Sequence, residues 1–348
     1  MIDEHQDLRF DWSVLPAVTS SLPGTAGKTR TCIEDFVVTE IPNFHPIGAG
    51  LHAYAFVEKQ GLTTHDVVSA LRDRGVGFND VGFAGQKDKQ AVTRQWFSVP
   101  ERFAAELESL DEVDGVRVLK TSRHVTKLAP GHLKSNRFEI TVREPVPEWQ
   151  SRAKAVIAEL ESSGLPNYFG PQRFGRFNSN VIDALRLLRG ERVPGGRGLH
   201  RFFMSALQSH LFNWNLKRRI ELGHYTEIVS GDRAQKHDTG GMFVVDDAGL
   251  ETLRSKRLEI SAVLPLYGRK VRGNGADAGA IEQETLDHFS LTRADLRGVA
   301  RGNWRISRVL VSDIALTPVD DGYLVSFTLP SGSYATCLLR ELLKFDLW

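Results

Sequence analysis

Cysteine is scarce: Cys32 and Cys337 are the two in 348 residues, and they form no C-x-x-C pair and no Cys/His spacing of a zinc site. Neither a disulfide framework nor a structural metal is therefore expected. No apolar run approaches the ~18 residues of a membrane-spanning helix. The opening MIDEHQDLRF is acidic and lacks a basic region followed by an apolar one, so secretion and membrane insertion are not expected and a cytoplasmic location is. Nucleotide-cradling glycine loops are missing too. There is no G-x-x-x-x-G-K-[ST], and the stretch GRKVRGNGADAG at 268–279 lacks the G-x-G-x-x-G spacing, so it reads as a loop. Internal repeats and low-complexity tracts are absent.

The chain does have an ordinary globular balance, 41% apolar and 25% charged residues, at a length that suits two domains. A net charge of +1 hides uneven segments: residues 117–143 carry seven lysines and arginines against the single acid Glu139, and 186–236 carry ten against four acids. Such patches on a neutral chain suggest a polyanion gripped locally, the alternative being solvated faces neutralised elsewhere in the fold.

In order, 1–28 reads as an irregular lead-in, and strands follow at 31–41 and 51–57. A helix at 64–74 has Thr63 or Thr64 as its cap. Further helices are expected at 102–110, 152–160, 180–189 and 203–221, and strands at 116–119, 138–142 and 323–329. A last helix at 334–343 would be capped by Ser331 or Ser333. Short strands mixed with single helices point to an α+β fold with a mixed, largely antiparallel sheet. REPVPEWQ at 143–150 marks a domain transition. In PNYFGPQRFGR, at 166–176, rings including Tyr168, Phe169 and Phe174, with Phe177 just beyond, alternate with Gly, Pro and Arg.

The stretch at the centre of the argument is GFAGQKDKQAVTRQWFSV at 82–99, where a glycine-rich turn sets one carboxylate, Asp88, between Lys87 and Lys89. Such an acid serves as nucleophile, base or metal ligand, or as a turn residue capping a backbone N–H. Spacing alone leaves all four open. His45, His52, His65, His124 and His210 have no partner at a telling spacing and read as core or surface residues.

Five segments in order, IEDFVVTE (33–40), GFAGQKDKQAVTRQWF (82–97), LKSNRFEITVRE (133–144), PNYFGPQRFG (166–175) and FTLPSGSYATCLLREL (327–342), resemble the tRNA pseudouridine synthase D (TruD) family. The resemblance implies a pseudouridine-synthase-type catalytic domain, 1–160 with 309–348. An inserted α/β TRUD domain at 161–308 would form the other wall of a basic cleft. It implies a monomer that isomerises uridine in tRNA, at position 13, with no cofactor or metal and no membrane partner; the alternative is a non-catalytic tRNA-binding protein. By resemblance Asp88 is the nucleophile, attacking C1′ or C6, with Arg30 as its basic partner and Lys28 as competitor. The family's conserved acid falls on Glu34 and its substrate-contacting aromatic on Phe36. Asn136 and Phe138 match residues near the target base, and Tyr334, where Phe is common, would shape the base pocket. Asn167, Arg173 and Phe174 come from a signature motif. Gly82 and Gly85 would let the loop approach the sugar.

Overall fold

The computed structural model describes residues 12–175 and 178–344, so the expectation for Arg176 and Phe177 lies outside the described residues. In chain order the first elements are β1 (Phe36–Pro42), β2 (His52–Gln60), α1 (Thr64–Asp73), β3 (Gly82–Phe83), β4 (Val92–Pro100), α2 (Ala104–Glu108), β5 (Val116–His124), β6 (Leu133–Arg143) and α3 (Trp149–Ser163). Then come β7 (Leu165–Pro166), α4 (Ser179–Leu188), α5 (Arg197–Glu221), β8 (Arg233–Lys236), β9 (Met242–Val244), α6 (Ala248–Lys256), β10 (Ile260–Leu266), α7 (Ala276–His288) and α8 (Arg293–Arg297). The chain finishes with β11 (Asn303–Ile306), β12 (Arg308–Val309), β13 (Ser312–Val319), β14 (Gly322–Pro330) and α9 (Ala335–Leu343). Contacts divide it into two compact units, one of Thr25–Gln150 with Val311–Gly332, the other of Ser151–Leu310 with the described residues before Thr25 and after Gly332.

The first unit is an eight-stranded sheet in the order β13-β14-β6-β1-β4-β2-β5, with β3 joined to β4 beside that path. All its pairings are antiparallel except β1 with β4. Alternation along β4 sends Phe97 and Val99 to one face, with Ala53, Ala55 and Val57 of β2, and there α1 buries Val67, Val68 and Leu71. Each of those three side chains contributes about 1.5–3 kcal/mol by leaving water. A reciprocal cap starts α1: Asp66 N–H donates to Thr63 Oγ1 at 3.1 Å, and Thr63 N–H to Asp66 Oδ2 at 2.7 Å. The same face carries a register row running Lys59, Thr93, Val38, Phe138, Phe327 across five strands, and beside it Glu40, Asn136 and Leu329. Those two rows position the site.

The second unit has an antiparallel sheet in the order β11-β10-β8-β9 and a small pairing of β12 with β7. Buried polar groups stitch it together. Arg219 pairs with Asp232 at 2.8 Å, and Arg308 donates to Ser163 O and Ser255 O, each at 2.9 Å. Helix α9 is tied to the early chain by the Glu341 carboxylate, which accepts from Val18 N–H at 3.0 Å and Thr19 N–H at 3.1 Å. Through that tie α9 belongs to this unit, while β14, which ends at Pro330 just before α9 begins at Ala335, pairs with β6 in the other. The contact division thus differs from the expected domain limits at the early chain, at 151–160 and at 333–344.

Local differences have local causes. The cap of α9 is Tyr334, which makes no side-chain capping bond, because Ser331 N–H is held in the sheet turn by Lys134 O at 3.1 Å. The expected loop at 268–279 ends early. Asn274 N–H is pinned by the Glu282 carboxylate at 3.1 Å, and the chain turns into α7 at Ala276 despite its glycines. The helix expected at 102–110 is helical over Ala104–Glu108 and flanked on both sides by 3-10 turns.

Candidate active site

Asp88 lies between β3 and β4 in a stretch, 84–91, whose neighbours are tied to the sheet while its own side chain stays 46% exposed. Lys87 N–H donates to Thr64 Oγ1 at 2.8 Å, and that hydroxyl donates in turn to Gln95 Oε1 at 2.8 Å. Gln95 Nε2 donates back to Gly85 O at 3.0 Å. The Lys59 ammonium reaches Asp88 O at 3.3 Å and Leu62 O at 2.5 Å. Thr64, Gln95 and Lys59 are all buried, so these bonds do not compete with water. The space beside Gly82 is taken by Ser98 Oγ and Leu128 O, so a side chain at this position would collide with the neighbouring strand and loop.

Cations surround the loop. Arg30 Nη2 stands 3.5 Å from Asp88 Oδ2, whereas Lys28 pairs with Glu144 at 2.6 Å. Of the two basic candidates, Arg30 faces the carboxylate. Its backbone is left-handed, with φ of 58°, a conformation costing a non-glycine residue about 1–2 kcal/mol. Its guanidinium carbon lies 4.1 Å from the centre of the Phe36 ring, a cation–π contact. Burial lowers the Arg30 pKa against the opposing pull of Asp88. Behind the loop, Lys87 Nζ donates to Asn136 Oδ1 at 2.6 Å and stands 3.6 Å from Glu40 Oε2. Both members of that pair are buried, and desolvation pushes the Glu40 carboxyl up and the Lys87 ammonium down.

The aromatic residues form one contact chain. Phe36 meets Phe138 edge-on at 6.3 Å, and Phe138 stacks on Phe327 at 5.2 Å. Phe36 and Phe138 are 3% and 7% exposed, so they form the floor under Arg30 rather than a free platform. Glu34 is exposed and accepts from Gln60 Nε2 at the end of β2. Its neighbour Asp35 is the buried acid of IEDF, held by Arg143 at 2.7 Å. Asp88, Arg30, Phe36 and Phe138 thus form one contact series, Asn136 joins it through Lys87, and Glu34 is bonded elsewhere.

Asn167 and Tyr334 belong to the other unit. Asn167 is buried and fully engaged: Nδ2 donates to Ile306 O at 2.9 Å, while Oδ1 accepts from Arg305 Nη2 at 2.6 Å. Arg305 lies 4.0 Å over the Phe169 ring, and burial lowers its pKa to about 10. Tyr334 packs 5.9 Å from Phe169. A side chain at Gly170 would strike the Tyr334 ring, which accounts for the glycine in PNYFGPQRFG. Arg173 donates to Ser205 and Ser209 on α5, and Phe174 is fully buried. Lys59, Thr64, Gln95 and Glu40 were not singled out from sequence. For Lys59, Gln95 and Glu40 the signal is a polar side chain at a strand position whose alternation points it into an apolar face, whereas Thr64, readable from sequence as a possible cap, is the first residue of α1.

Among the described residues no group of three or more His, Cys, Asp or Glu could hold a metal ion, and no helix is long and apolar enough to cross a membrane. Chemically, the site offers one exposed carboxylate on an anchored backbone, faced by a guanidinium.

A model of the family described as tRNA pseudouridine synthase D (TruD) matches residues 15–192 and 195–342. A tRNA pseudouridine synthase D of Thermus thermophilus is 44% identical over 341 residues, covering 98% of this chain and 95% of the relative. One from Geobacter sulfurreducens is 34% identical over 410 residues, covering 98% of each. In fold, the chain is similar to a crystal structure described as tRNA pseudouridine synthase D (TruD) from Methanosarcina mazei, with TM-score 0.78, 22% identity and 99% of each chain covered. Matching over nearly the whole length, by the family model and by relatives up to 44% identical, makes this chain a member of the tRNA pseudouridine synthase D family.

Proposed function

We propose that the protein is a tRNA pseudouridine synthase that isomerises uridine at position 13 with Asp88 as nucleophile and without a cofactor. The N1–C1′ bond of the uridine breaks, the uracil turns, and C5 bonds to C1′. C5 gives up its proton and N1 takes one, so the reaction is an isomerisation with no net loss of atoms. Asp88 attacks the uridine, at C1′ or C6, and leaves again as the new bond is completed.

The observation that carries this reading is the Asp88 loop itself. Every anchor found for it is a backbone or neighbouring side-chain bond, and the carboxylate is left exposed toward Arg30. Such an arrangement limits the reorganisation needed at the moment of attack. Affinity for the RNA comes from phosphate contacts. On the second unit Arg192, Arg197 and Arg201 are exposed and, among the described residues, have no ion-pair partner. Other arginines of the same basic segment are neutralised, such as Arg218 by Glu284 at 2.7 Å and Arg219 by Asp232 at 2.8 Å.

The test is incubation of an unmodified tRNA transcript bearing uridine at position 13 with the purified protein in chelator, followed by digestion and nucleoside chromatography. Pseudouridine is expected from the wild type and none from Asp88→Ala, which should still bind the transcript. Tight binding with no product across several tRNAs would overturn the reading in favour of a binding protein.

A further inference from the structure

Lys59 is the most deeply buried lysine on the catalytic face, 1% exposed, a condition rare for this residue type. It stands in the register row with Thr93, Val38 and Phe138, where an apolar side chain would be ordinary. Among the described residues no carboxylate lies within ion-pair distance of its Nζ. Its partners are two main-chain carbonyls on separate segments, Leu62 O at 2.5 Å in the turn before α1 and Asp88 O at 3.3 Å. A buried ammonium held by carbonyls alone is a poor device for stability. Burial indeed pushes Lys59 down to about 8, against the opposing field of Asp88.

We propose that Lys59 is a positioning residue: its ammonium fixes the main chain of residue 88 against the turn before α1, so that the Asp88 carboxylate is held in line with the target uridine. The bond ends on the carbonyl of residue 88 itself, so any shift of Nζ is passed to the Cα that carries the nucleophile. The inference rests on the function proposed for Asp88.

The test compares wild type, Lys59→Met and Lys59→Arg by turnover on the unmodified transcript and by amide hydrogen exchange of peptides covering 84–91. Lys59→Met is expected to melt no lower than wild type, to lose about 100-fold in kcat with KM within about two-fold, and to exchange faster in the loop. Lys59→Arg should regain about tenfold of that loss, since it restores a cationic donor. A folded Lys59→Met with wild-type kcat, or with reduced kcat and unchanged loop exchange, would overturn the proposal. If Lys59→Met does not fold, Lys59→Gln is judged on the same two readouts. A wild type that makes no pseudouridine overturns the proposed function instead, and loop exchange alone then decides whether Lys59 holds the loop.

Discussion

Asp88 and Asn136 show how unlike two neighbouring site residues can be. Asp88 is half-exposed with one charged partner at 3.5 Å, so Asp88→Asn should change folding stability by less than about 1 kcal/mol while abolishing product; a denaturant titration beside the product assay checks both. Asn136 accepts from a buried ammonium at 2.6 Å. Asn136→Ala strips Lys87 of that acceptor, and an expected loss of about 1–3 kcal/mol, read from the denaturation midpoint, follows. From sequence, Asn136 could be aligned with a base-reading residue, but its bond to Lys87 spans 49 positions and no spacing rule reports it. Arg30 was separable from Lys28 only once Lys28 was seen against Glu144. Phe138 alternates with Ile140 and Val142 on the buried face of β6, and burial there is compatible with flooring a site.

Among the elements, α1 and β4 carry the loop between them. Thr64 accepts from the loop and donates to Gln95, whereas Thr63 caps the helix. Thr64→Val should therefore leave α1 intact, quicken exchange of 84–91 and lower kcat by about tenfold, checked by circular dichroism, exchange and turnover together. The first unit was largely legible because alternating runs such as 138–142 and 323–329 meet β-branched and aromatic propensity. The second was less so. Strands β8, β9 and β11 are three or four residues long, too short for periodicity, and α7 begins inside a glycine-rich run whose composition argues for a loop.

Over the whole molecule, charge and burial predict solution behaviour. Removing Arg192, Arg197 and Arg201 together should flatten the dependence of log K for tRNA on log salt by roughly 0.7–0.9 per lost contact while leaving kcat at saturation unchanged, as filter binding and turnover would record. His210 is buried between Phe174 and Phe289, and burial lowers its pKa to about 3. The unfolded chain, with an imidazole near 6.5, then binds more protons than the native one between those values. The stability linked to His210 is complete above about pH 6.5 and drains away as pH falls toward 3. In His210→Phe that portion of the pH dependence should vanish from acid-unfolding curves. The sheet order has a last consequence, for synthesis on the ribosome. β1 docks between β4 and β6 early, but the free edge of β6 is met only by β14, beginning at Gly322. Throughout translation of the intervening chain, the nascent protein presents an open hydrogen-bonding edge beside the uncovered Phe138 ring, which makes that interval its period of greatest exposure to aggregation and to chaperones.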